Sequence, residues 1–489
     1  MQAATQATTP APDGRLNYGA LTVVLALTQL LVILDFTMIS VALPSIGKDL
    51  QIPPALLSWV ISAKTIFYAG FLILGGRAAD VIGQRKCLFL GIGVFAVGSL
   101  LAGLASDLPV LILARALQGL GGALLSPASF SLINTLIPEG AHRTRAYSVF
   151  GAIQGVSMFT ALIMGGVLTT FVGWRSIFFV NLVFIVVGLV LTARYVPKVP
   201  RMEGPSRSLD IPGAVLISGA VGSLFVAIST ITRFGIDSTP ALSALAAMGA
   251  CAVLFWLVER KARDPLVPPT VFKAPNLPGT AIAMLGMVMG TGGIVVMSNL
   301  YMQQRLGFSP MISGLGILPY AIGVAIAGRA TAYLSRRFSS RAMMIGGIGM
   351  DLLGLAAFVS MIQGGGYFRN IMPGLSLAAF GTIVAYVAML AKATKGVPRA
   401  EQGVATGVMF TMQQVAVALG AAAAMTAMGA TLAVTGPGHE APFRNGYLTV
   451  MAFAACGLVA TLLFTRKDRA MPPPERGPSE IKAVEAAAP

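Results

Sequence analysis

Residues 19–44 read GALTVVLALTQLLVILDFTMISVALP, an apolar run in which Asp35 is the one ionisable side chain. A helix of about 20 mostly apolar residues is long enough to cross the hydrocarbon core of a membrane. Thirteen further stretches of similar length and apolarity follow before residue 466. Lipid offers the backbone no hydrogen-bond partners, and the strands of a membrane barrel would alternate in polarity. The sequence therefore predicts an all-α integral membrane protein with fourteen transmembrane helices.

The composition of the chain agrees with that prediction. Of its 489 residues, 56% are hydrophobic and 11% are charged, whereas an average globular protein has about 25% charged residues. These values exclude a soluble enzyme, a disordered protein and a disulfide scaffold. The three cysteines show no metal-ligand spacing, and both histidines fall in polar loops. We therefore expect no metal site and no cofactor.

The positive charge of the chain predicts its orientation. The formal net charge is +16. If the N-terminus is cytoplasmic, 26 of the 34 Lys and Arg residues lie on the inside, 6 lie outside and 2 lie within spans. Because inner loops of membrane proteins are enriched in Lys and Arg, this split favours two cytoplasmic termini and gives no reason to expect a nucleic-acid partner.

The sequence also contains a weak internal repeat. The tripeptide Gly-Arg-Ala at 76–78 recurs at 328–330, an offset of 252 residues, and Gly151 and Gly155 recur as glycines at the same offset. The repeat predicts two pseudo-symmetric six-helix bundles with a two-helix insertion between them, a common plan among secondary transporters. The predicted parts, in chain order, are a cytoplasmic tail, the first bundle, a linker with a hairpin at about 210–259, the second bundle and a disordered tail: 1–17, 18–196, 197–278, 279–466 and 467–489.

Four charged side chains fall well inside predicted spans: Asp35, Lys64, Arg115 and Asp351. Each costs about 2.5–3.5 kcal/mol on insertion scales, so such residues usually face a cavity or a partner. Asp35 and Lys64 both lie roughly 13 Å below the outer ends of adjacent antiparallel spans, so we expect them to approach each other. Arg115 enters from the same side at a shallower level. A looser match in the repeat pairs it with Arg369, 254 residues later.

Two interpretations of these charges stay open. Asp35 is either a proton-handling carboxylate that responds to nearby cations or one member of a buried ion pair that only locks helix packing. Two cations favour the charged carboxylate, so proton coupling would need substrate to displace a cation. They also predict a net-positive outer cavity that favours anionic or neutral cargo. Asp351 either carries a second proton or stabilises a helix contact.

Four segments carry a family resemblance. They are GRAADVIGQRK at 76–86, RALQGLG at 115–121, LDFTMISVALP at 34–44 and WRSIFFVN at 174–181. The first two resemble motifs of the major facilitator superfamily. The last two look like signatures of its fourteen-span drug:proton antiporter branch, the EmrB/QacA type.

The resemblance implies a secondary transporter of the bacterial cytoplasmic membrane, not an enzyme. It would export hydrophobic drugs or secondary metabolites in exchange for protons by alternating access. Asp35 would carry the proton, Arg115 would be its electrostatic partner, and Lys64 would modify coupling. Partners would be a small-molecule substrate, protons and the lipid bilayer, with a periplasmic adaptor if the source has two membranes. Rival functions are a facilitator or proton symporter for an organic anion and, from another class, a membrane-embedded enzyme or sensor.

The first motif predicts a conformational latch, formed by Gly76, Asp80, Gly83, Arg85 and Lys86. Gly83 permits a tight turn. Asp80 can accept from backbone N–H groups or pair with Arg85 or Lys86. The alternative is ordinary positive charge on the inside, which would not need a carboxylate there.

Small and polar residues inside spans complete the predicted site. In the antiporter-like motif of the fifth span, close helix approach is expected at Gly151, Gly155, Gly165 and Gly166. Uncharged polar side chains that either line a substrate cavity or hydrogen-bond between helices are Gln29, Gln118, Gln154, Asn299, Gln413 and Gln414.

Three departures from the family pattern matter. Residues 161–166 read ALIMGG, without the family's Gly-Pro pair, and residues 334–339 read LSRRFS, without a carboxylate. The first weakens the assignment to antiport, and the second makes a latch asymmetric. Lys64 stands where the family more often has an aromatic residue.

Overall fold

The computed structural model describes the chain between residues 17 and 465. Within that range it leaves out residues 53–55, 57–58, 139–140, 199–209, 263–264, 267–273, 275, 309, 362–366, 396, 399–400 and 436–439. The predicted tails at 1–17 and 467–489 thus lie outside the described residues, except for Asn17. In the described part the regular structure is helical, with no strands. Fourteen of its helices are long and apolar enough to cross a membrane, which confirms the predicted fold class.

The long helices are labelled α1 to α14 in chain order. They are α1 (Tyr18–Asp49), α2 (Trp59–Ile82), α3 (Gln84–Gly103), α4 (Leu108–Leu136), α5 (Ala141–Phe171), α6 (Ser176–Tyr195), α7 (Ile211–Phe234), α8 (Thr239–Glu259), α9 (Leu277–Gln304), α10 (Leu318–Leu334), α11 (Ser340–Met361), α12 (Met372–Ala393), α13 (Gln402–Thr435) and α14 (Ala441–Phe464). A short helix, Pro310–Leu315, precedes α10, and a π-helical turn, Tyr367–Ile371, precedes α12.

Local sequence signals set where several helices begin. Asn17 caps α1 by accepting from the backbone nitrogen of Ala20 at 3.0 Å, and Asp107 caps α4 by accepting from Val110 at 2.9 Å. Proline stands in the first turn of seven helices, where its missing N–H would have had no partner in the helix. These capping residues and prolines determine where the helices begin. The packing of the helices depends on the apolar and polar side chains within them.

The helices pack as two groups joined along one seam. Helices α1 to α6 pack on one another and form the N-terminal bundle, and α9 to α14 form the C-terminal bundle. Between the bundles, α5 packs on α10 and α2 packs on α13. The inserted hairpin, α7 and α8, lies against that seam, because α7 contacts both α2 and α13. There the Ser218 hydroxyl donates to the carbonyl of Gly70 at 2.8 Å.

Contacts across the seam reproduce the internal repeat. Gly155 of α5 packs on the backbone of Ala325 in α10, and Gly407 of α13 packs on the backbone of Ile73 in α2. The offsets 407 − 155 and 325 − 73 are both 252. The Gly407 contact lies near the start of α13, at the end of the bundles where α1 also begins. The charge distribution predicts that this end is cytoplasmic, and we call it the predicted cytoplasmic end.

One member of the predicted repeat is wrong. Gly121 of α4 packs on α3 at Gly91, and Gly381 of α12 packs on α11 in the same way, so α4 and α12 are related by 381 − 121 = 260 residues. At that offset Leu375 takes the place of Arg115. Arg369 instead lies exposed in the π-helical turn before α12. The connection before α12 is longer than the connection before α4, so residues 254 positions apart are not equivalent in these two helices.

The seam contact at Gly155 generates a stability prediction. A Cβ there would meet the backbone nitrogen of Ala325 at 2.9 Å, so Gly155→Ala should overpack the seam and cost about 1–3 kcal/mol. Gly166→Ala, on the same helix, is the matched control, since a Cβ there meets nothing within 4 Å. Thermal unfolding of the purified protein should show a lower Tm for Gly155→Ala and no loss for Gly166→Ala. Equal Tm values for the two variants would contradict the packing described here.

Candidate functional site

Asp35, on α1, lies at the centre of a buried ionic cluster. Its Oδ2 atom is 2.6 Å from the Lys64 ammonium of α2 and 2.6 Å from the Arg115 guanidinium of α4. The Asp35 and Arg115 side chains are fully buried, and that of Lys64 is 3% exposed. The structure thus brings together the three charges that the sequence places at similar depths, including the expected approach of Asp35 and Lys64.

Two amides satisfy the other oxygen of the same carboxylate. Asn181 of α6 donates to Asp35 Oδ1 at 2.7 Å, and Gln118 of α4 donates to it at 3.1 Å. Asp35 therefore accepts four hydrogen bonds, from residues on α2, α4 and α6. A carboxylate held by several donors and two cations is stabilised in its charged form.

The two cations have further partners within the N-terminal bundle. Lys64 donates to the carbonyl of Val32 at 3.0 Å, and its ammonium lies 5.3 Å from the centre of the Phe95 ring. Arg115 donates from Nε to the carbonyl of Val60 at 2.9 Å. One carboxylate and two cations leave the cluster with a net charge of +1. Since that charge is buried, it does not produce the predicted net-positive outer cavity.

Gln118 belongs to this cluster and not to a substrate cavity. Its side chain is fully buried. Besides its bond to Asp35, it accepts from Arg115 at 2.6 Å and donates to Ser99 at 2.9 Å. The cavity prediction for Gln118 is therefore wrong, because its amide is used inside the bundle. Asn181 was missed as a site residue, although an amide in the strongly apolar α6 was a signal that could have identified it.

The other predicted cavity residues have mixed surroundings. Gln29 is buried and accepts from Ser126 at 2.9 Å within the N-terminal bundle. Gln413 is half-buried and accepts from Tyr386 at 2.9 Å, and Asn299 accepts from Gln303 one turn away at 2.6 Å. Gln414 is half-buried on α13. The side chain of Gln154 lies outside the described residues, so its predicted position opposite the glutamines of α13 stays a prediction.

Asp80 joins the two bundles at the predicted cytoplasmic end. Its carboxylate accepts from the backbone nitrogens of Gly403 and Val404, each at 3.0 Å, at the start of α13. The first N–H groups of a helix have no partner within it and carry the positive end of the helix dipole, so a carboxylate there is stabilised. Of the interactions that the sequence leaves open for Asp80, the structure therefore shows the one with backbone N–H groups.

The remaining latch residues shape that contact. Gly76 lies against the backbone of Gly403, where a Cβ would overlap the Gly403 carbonyl. Gly83 forms the turn between α2 and α3 with a φ of +95°, a conformation that other residues rarely adopt. Arg85 donates to the carbonyl of Ala193 at 3.2 Å, within the N-terminal bundle. Lys86 lies on α3 beside Arg85 at the predicted cytoplasmic end.

Aromatic and polar contacts close the same end between the bundles. The Phe130 ring of α4 packs edge-on against Phe410 of α13 at 4.9 Å and against Phe150 of α5 at 4.5 Å. Nearby, Asn134 of α4 donates to Gln402 of α13 at 2.9 Å. This conformation is therefore closed at the predicted cytoplasmic end.

The glycines of the antiporter-like motif have different surroundings. Gly155 packs on α10, as described above, and Gly151 lies close to Ile383 of α12. Gly165 approaches the backbone of Met38 in α1. Among the described residues, no atom lies within 4 Å of a Cβ placed on Gly166, so the expected close helix approach is wrong there.

Asp351 lies apart from the Asp35 cluster, in the C-terminal bundle. Its side chain is fully buried on α11, and Thr382 of α12 donates to its Oδ1 atom at 3.3 Å. The structure therefore does not bring the fourth predicted proton-coupling residue to the other three.

Trp174 and Arg175, which begin the segment WRSIFFVN, form a clamp at the opposite end of the N-terminal bundle. Asp49, just inside the end of α1, accepts from Arg175 at 2.6 Å and from Trp174 at 3.1 Å. Arg175 also donates to the carbonyl of Ala105, between α3 and α4, at 3.0 Å. The hydrogen bond from Arg175, supported by that from Trp174, lowers the pKa of the Asp49 carboxyl below its ordinary value of 3.8.

Comparisons with known proteins agree on one family. The model of the Major Facilitator Superfamily matches residues 25–421. A puromycin resistance protein of Streptomyces alboniger, pur8, is 35% identical over 92% of this chain and 90% of its own length. The cephamycin export protein CmcT of Amycolatopsis lactamdurans is 31% identical over 92% of this chain and 93% of its own length.

Solved structures share the fold. The human organic anion transporter MFSD10 superposes with a TM-score of 0.65 at 15% identity, covering 91% of this chain and 99% of its own. The proton:xylose symporter XylE superposes with a TM-score of 0.63 at 16% identity, covering 91% of this chain and 94% of its own.

The latch contact generates a prediction for Asp80→Ala. Removing a carboxylate from a helix N-terminus costs about 0.3–2 kcal/mol, so the closed arrangement should lose population severalfold. The measurement is the distance between spin labels on cysteines replacing Arg145 and Arg337, both exposed at the predicted cytoplasmic end, in a protein whose exposed Cys456 is serine. Longer distances are expected for Asp80→Ala. Glu440→Gln, at the other end of the C-terminal bundle, is the control. A lengthening of the spin-label distance in Glu440→Gln equal to that in Asp80→Ala would contradict the latch.

The outer clamp generates a pH prediction. Because folding lowers the pKa of Asp49, its charged carboxylate stabilises the folded protein at every pH above the ordinary pKa. That stabilisation is lost only as pH falls through the lowered pKa. Asp49→Asn should therefore lower Tm by the same amount at about pH 7 and about pH 5. A difference from the wild type that disappears at the lower pH would show that the carboxyl titrates higher than this geometry allows.

Proposed function

The chain belongs to the Major Facilitator Superfamily, and from that premise we propose that it exports antibiotic-like organic compounds in exchange for protons. It is a multi-pass membrane transporter of small molecules and not an enzyme. The observation that carries the proposal is the similarity to a puromycin resistance protein and a cephamycin export protein, each over about nine-tenths of both chains. A lincomycin resistance protein of Streptomyces lincolnensis, 30% identical, supports the same substrate class.

The cellular setting follows from the same relatives and from the charge distribution. We place the protein in the bacterial cytoplasmic membrane with both termini in the cytoplasm, as the inside excess of Lys and Arg favours. The proposed boundaries are 18–196 for the first bundle, 197–278 for the linker with the inserted hairpin and 279–466 for the second bundle. A periplasmic adaptor enters only if the source has two membranes.

The Asp35 cluster suggests how proton binding is coupled to conformational change. Its carboxylate links α1 to Lys64 on α2, Arg115 on α4 and Asn181 on α6. Protonation of Asp35 would remove the charge that holds Lys64 and Arg115. The helices α2 and α4, which carry the latch residue Asp80 and the closing ring Phe130, would then lose their tie to α1. Proton binding in the bundle would thereby favour opening at the predicted cytoplasmic end.

Import of an organic anion is the second candidate function. The absence of the Gly-Pro pair at 161–166 favours it. The cations that would attract an anion, Lys64 and Arg115, are buried within the N-terminal bundle and engaged with Asp35. This burial favours export of neutral or apolar compounds over import of anions.

Transport in proteoliposomes separates these functions. With puromycin as the probe, an acidic lumen should drive more accumulation than in protein-free vesicles, where the basic amine is only trapped passively, because an antiporter releases lumenal protons outward while it takes the probe in. Accumulation driven only by an alkaline lumen would identify a symporter. Uptake that stops at equal concentrations on the two sides, with or without a pH difference, would identify a facilitator. Either result would overturn the proposal.

Variants of the cluster test its role in that coupling. Asp35→Asn should lower the accumulation that a given pH difference drives, while exchange of labelled for unlabelled puromycin persists. The variant leaves two buried cations with a neutral partner, which can cost about 3–5 kcal/mol, so Asp35→Asn combined with Lys64→Gln serves as a second, less charged variant. Lys64→Ala should change the pH profile or the range of exported compounds. Unchanged pH-driven transport in Asp35→Asn, or an unchanged range and profile in Lys64→Ala, would show that the cluster only locks helix packing.

A further inference from the structure

A second buried carboxylate lies in the bundle opposite the Asp35 cluster. Asp351, in the middle of α11, is fully buried. Its Oδ1 atom accepts one hydrogen bond, from Thr382 at 3.3 Å, and its Oδ2 atom has no hydrogen-bond partner among the described residues. Unlike Asp35, it forms no ion pair with any part of the chain that the structure describes.

The internal repeat shows that this carboxylate is not a copy of Asp35. The backbone nitrogen of Asp351 lies against Gly381 as that of Phe95 lies against Gly121. At the offset of this helix, 351 − 95 = 256, Asp351 therefore occupies the position of Phe95, the ring beside Lys64. In the C-terminal bundle, Leu375 stands at the position equivalent to Arg115, and an acid stands where the N-terminal bundle has an aromatic ring.

An ionised carboxylate at this position would be poorly stabilised. Transfer of an unpaired charge into an apolar interior is far more costly than transfer of a neutral polar group, and one weak hydrogen bond does not compensate for it. Addition of a proton to the unpartnered Oδ2 atom makes a neutral carboxylic acid with an O–H donor. The geometry therefore favours the protonated side chain.

Around Asp351 there are two linked hydroxyl groups and few other side chains that could bind a proton. Thr382 of α12 lies 3.2 Å from Thr291 of α9, hydroxyl to hydroxyl, so a chain of hydroxyls runs from Asp351 across two neighbouring helices. The titratable group near Asp351 on α10 is Tyr320, which is half-buried and interacts with it electrostatically. On α14 the titratable side chain facing α11 is Tyr447, which stacks on Phe358 two turns away.

We propose that Asp351 is a proton-binding site of the C-terminal bundle, reached through the hydroxyls of Thr382 and Thr291 and separate from the Asp35 cluster. The binding of a proton there stands on the geometry alone. Its use in transport rests on the proposed function, in which it adds a second proton to each cycle, one for each bundle.

Infrared spectroscopy of the purified protein, without substrate, tests the binding step. The carbonyl-stretch band of a protonated carboxylic acid should be present at neutral pH, vanish in Asp351→Asn and persist in Asp35→Asn. Thr382→Val should shift the band by removing the hydrogen bond to Oδ1, which keeps the test valid if Asp351→Asn does not fold. Absence of the band from the wild type, or its persistence unchanged in Asp351→Asn and unshifted in Thr382→Val, would overturn the proposal.

The ratio of protons to substrate tests the use of this site in transport. In proteoliposomes with puromycin as probe, the pH difference that balances a given puromycin gradient reports that ratio. Asp351→Asn should lower the ratio by one while pH-driven accumulation continues. An unchanged ratio would show that Asp351 binds a proton without coupling it. Failure of the wild type to accumulate puromycin would instead refute the antiport proposal and leave the infrared result standing.

Discussion

The structure depends on how one carboxylate is accommodated inside a membrane-embedded bundle. Asp35 would be costly alone in an apolar interior, and the chain surrounds it with Lys64, Arg115, Asn181 and Gln118. These donors come from three different helices, so satisfying the charge fixes α1, α2, α4 and α6 relative to one another. In the proposed mechanism, a change in that charge shifts these four helices relative to one another.

The bundles differ in chemistry although they share a fold. Contacts at Gly155 and Gly407 preserve the same packing at the same offset, but the ion cluster belongs to the N-terminal bundle alone among the described residues. Asp80 extends the asymmetry, since it reaches from α2 to the start of α13. At the predicted cytoplasmic end, a carboxylate of the first bundle thus binds backbone groups of the second, beside the Phe130–Phe410 and Asn134–Gln402 contacts.

The features that could be predicted from the sequence are those whose physical signal lies within one segment of the chain. The number of helices follows from length and apolarity, and the approach of Asp35 to Lys64 follows from helix rise and a short connection. The rotation of each helix about its axis could not be predicted, because spans that are apolar on every side show no preferred face. That is why the sequence could not decide between a cavity and a contact between helices for Gln118, and why a close contact was expected at Gly166. The partner of Asp80 lies more than 300 residues away, and no local pattern identifies it.

The central claim is that the charge of Asp35 controls closure at the predicted cytoplasmic end. The most direct measurement is the distance between spin labels at positions 145 and 337 in the wild type and in Asp35→Asn as pH is lowered. The account predicts that acidification lengthens the distance in the wild type. It also predicts that Asp35→Asn, which mimics the protonated side chain, shows the longer distance at every pH. A pH-dependent change of the same size in Asp35→Asn would contradict it.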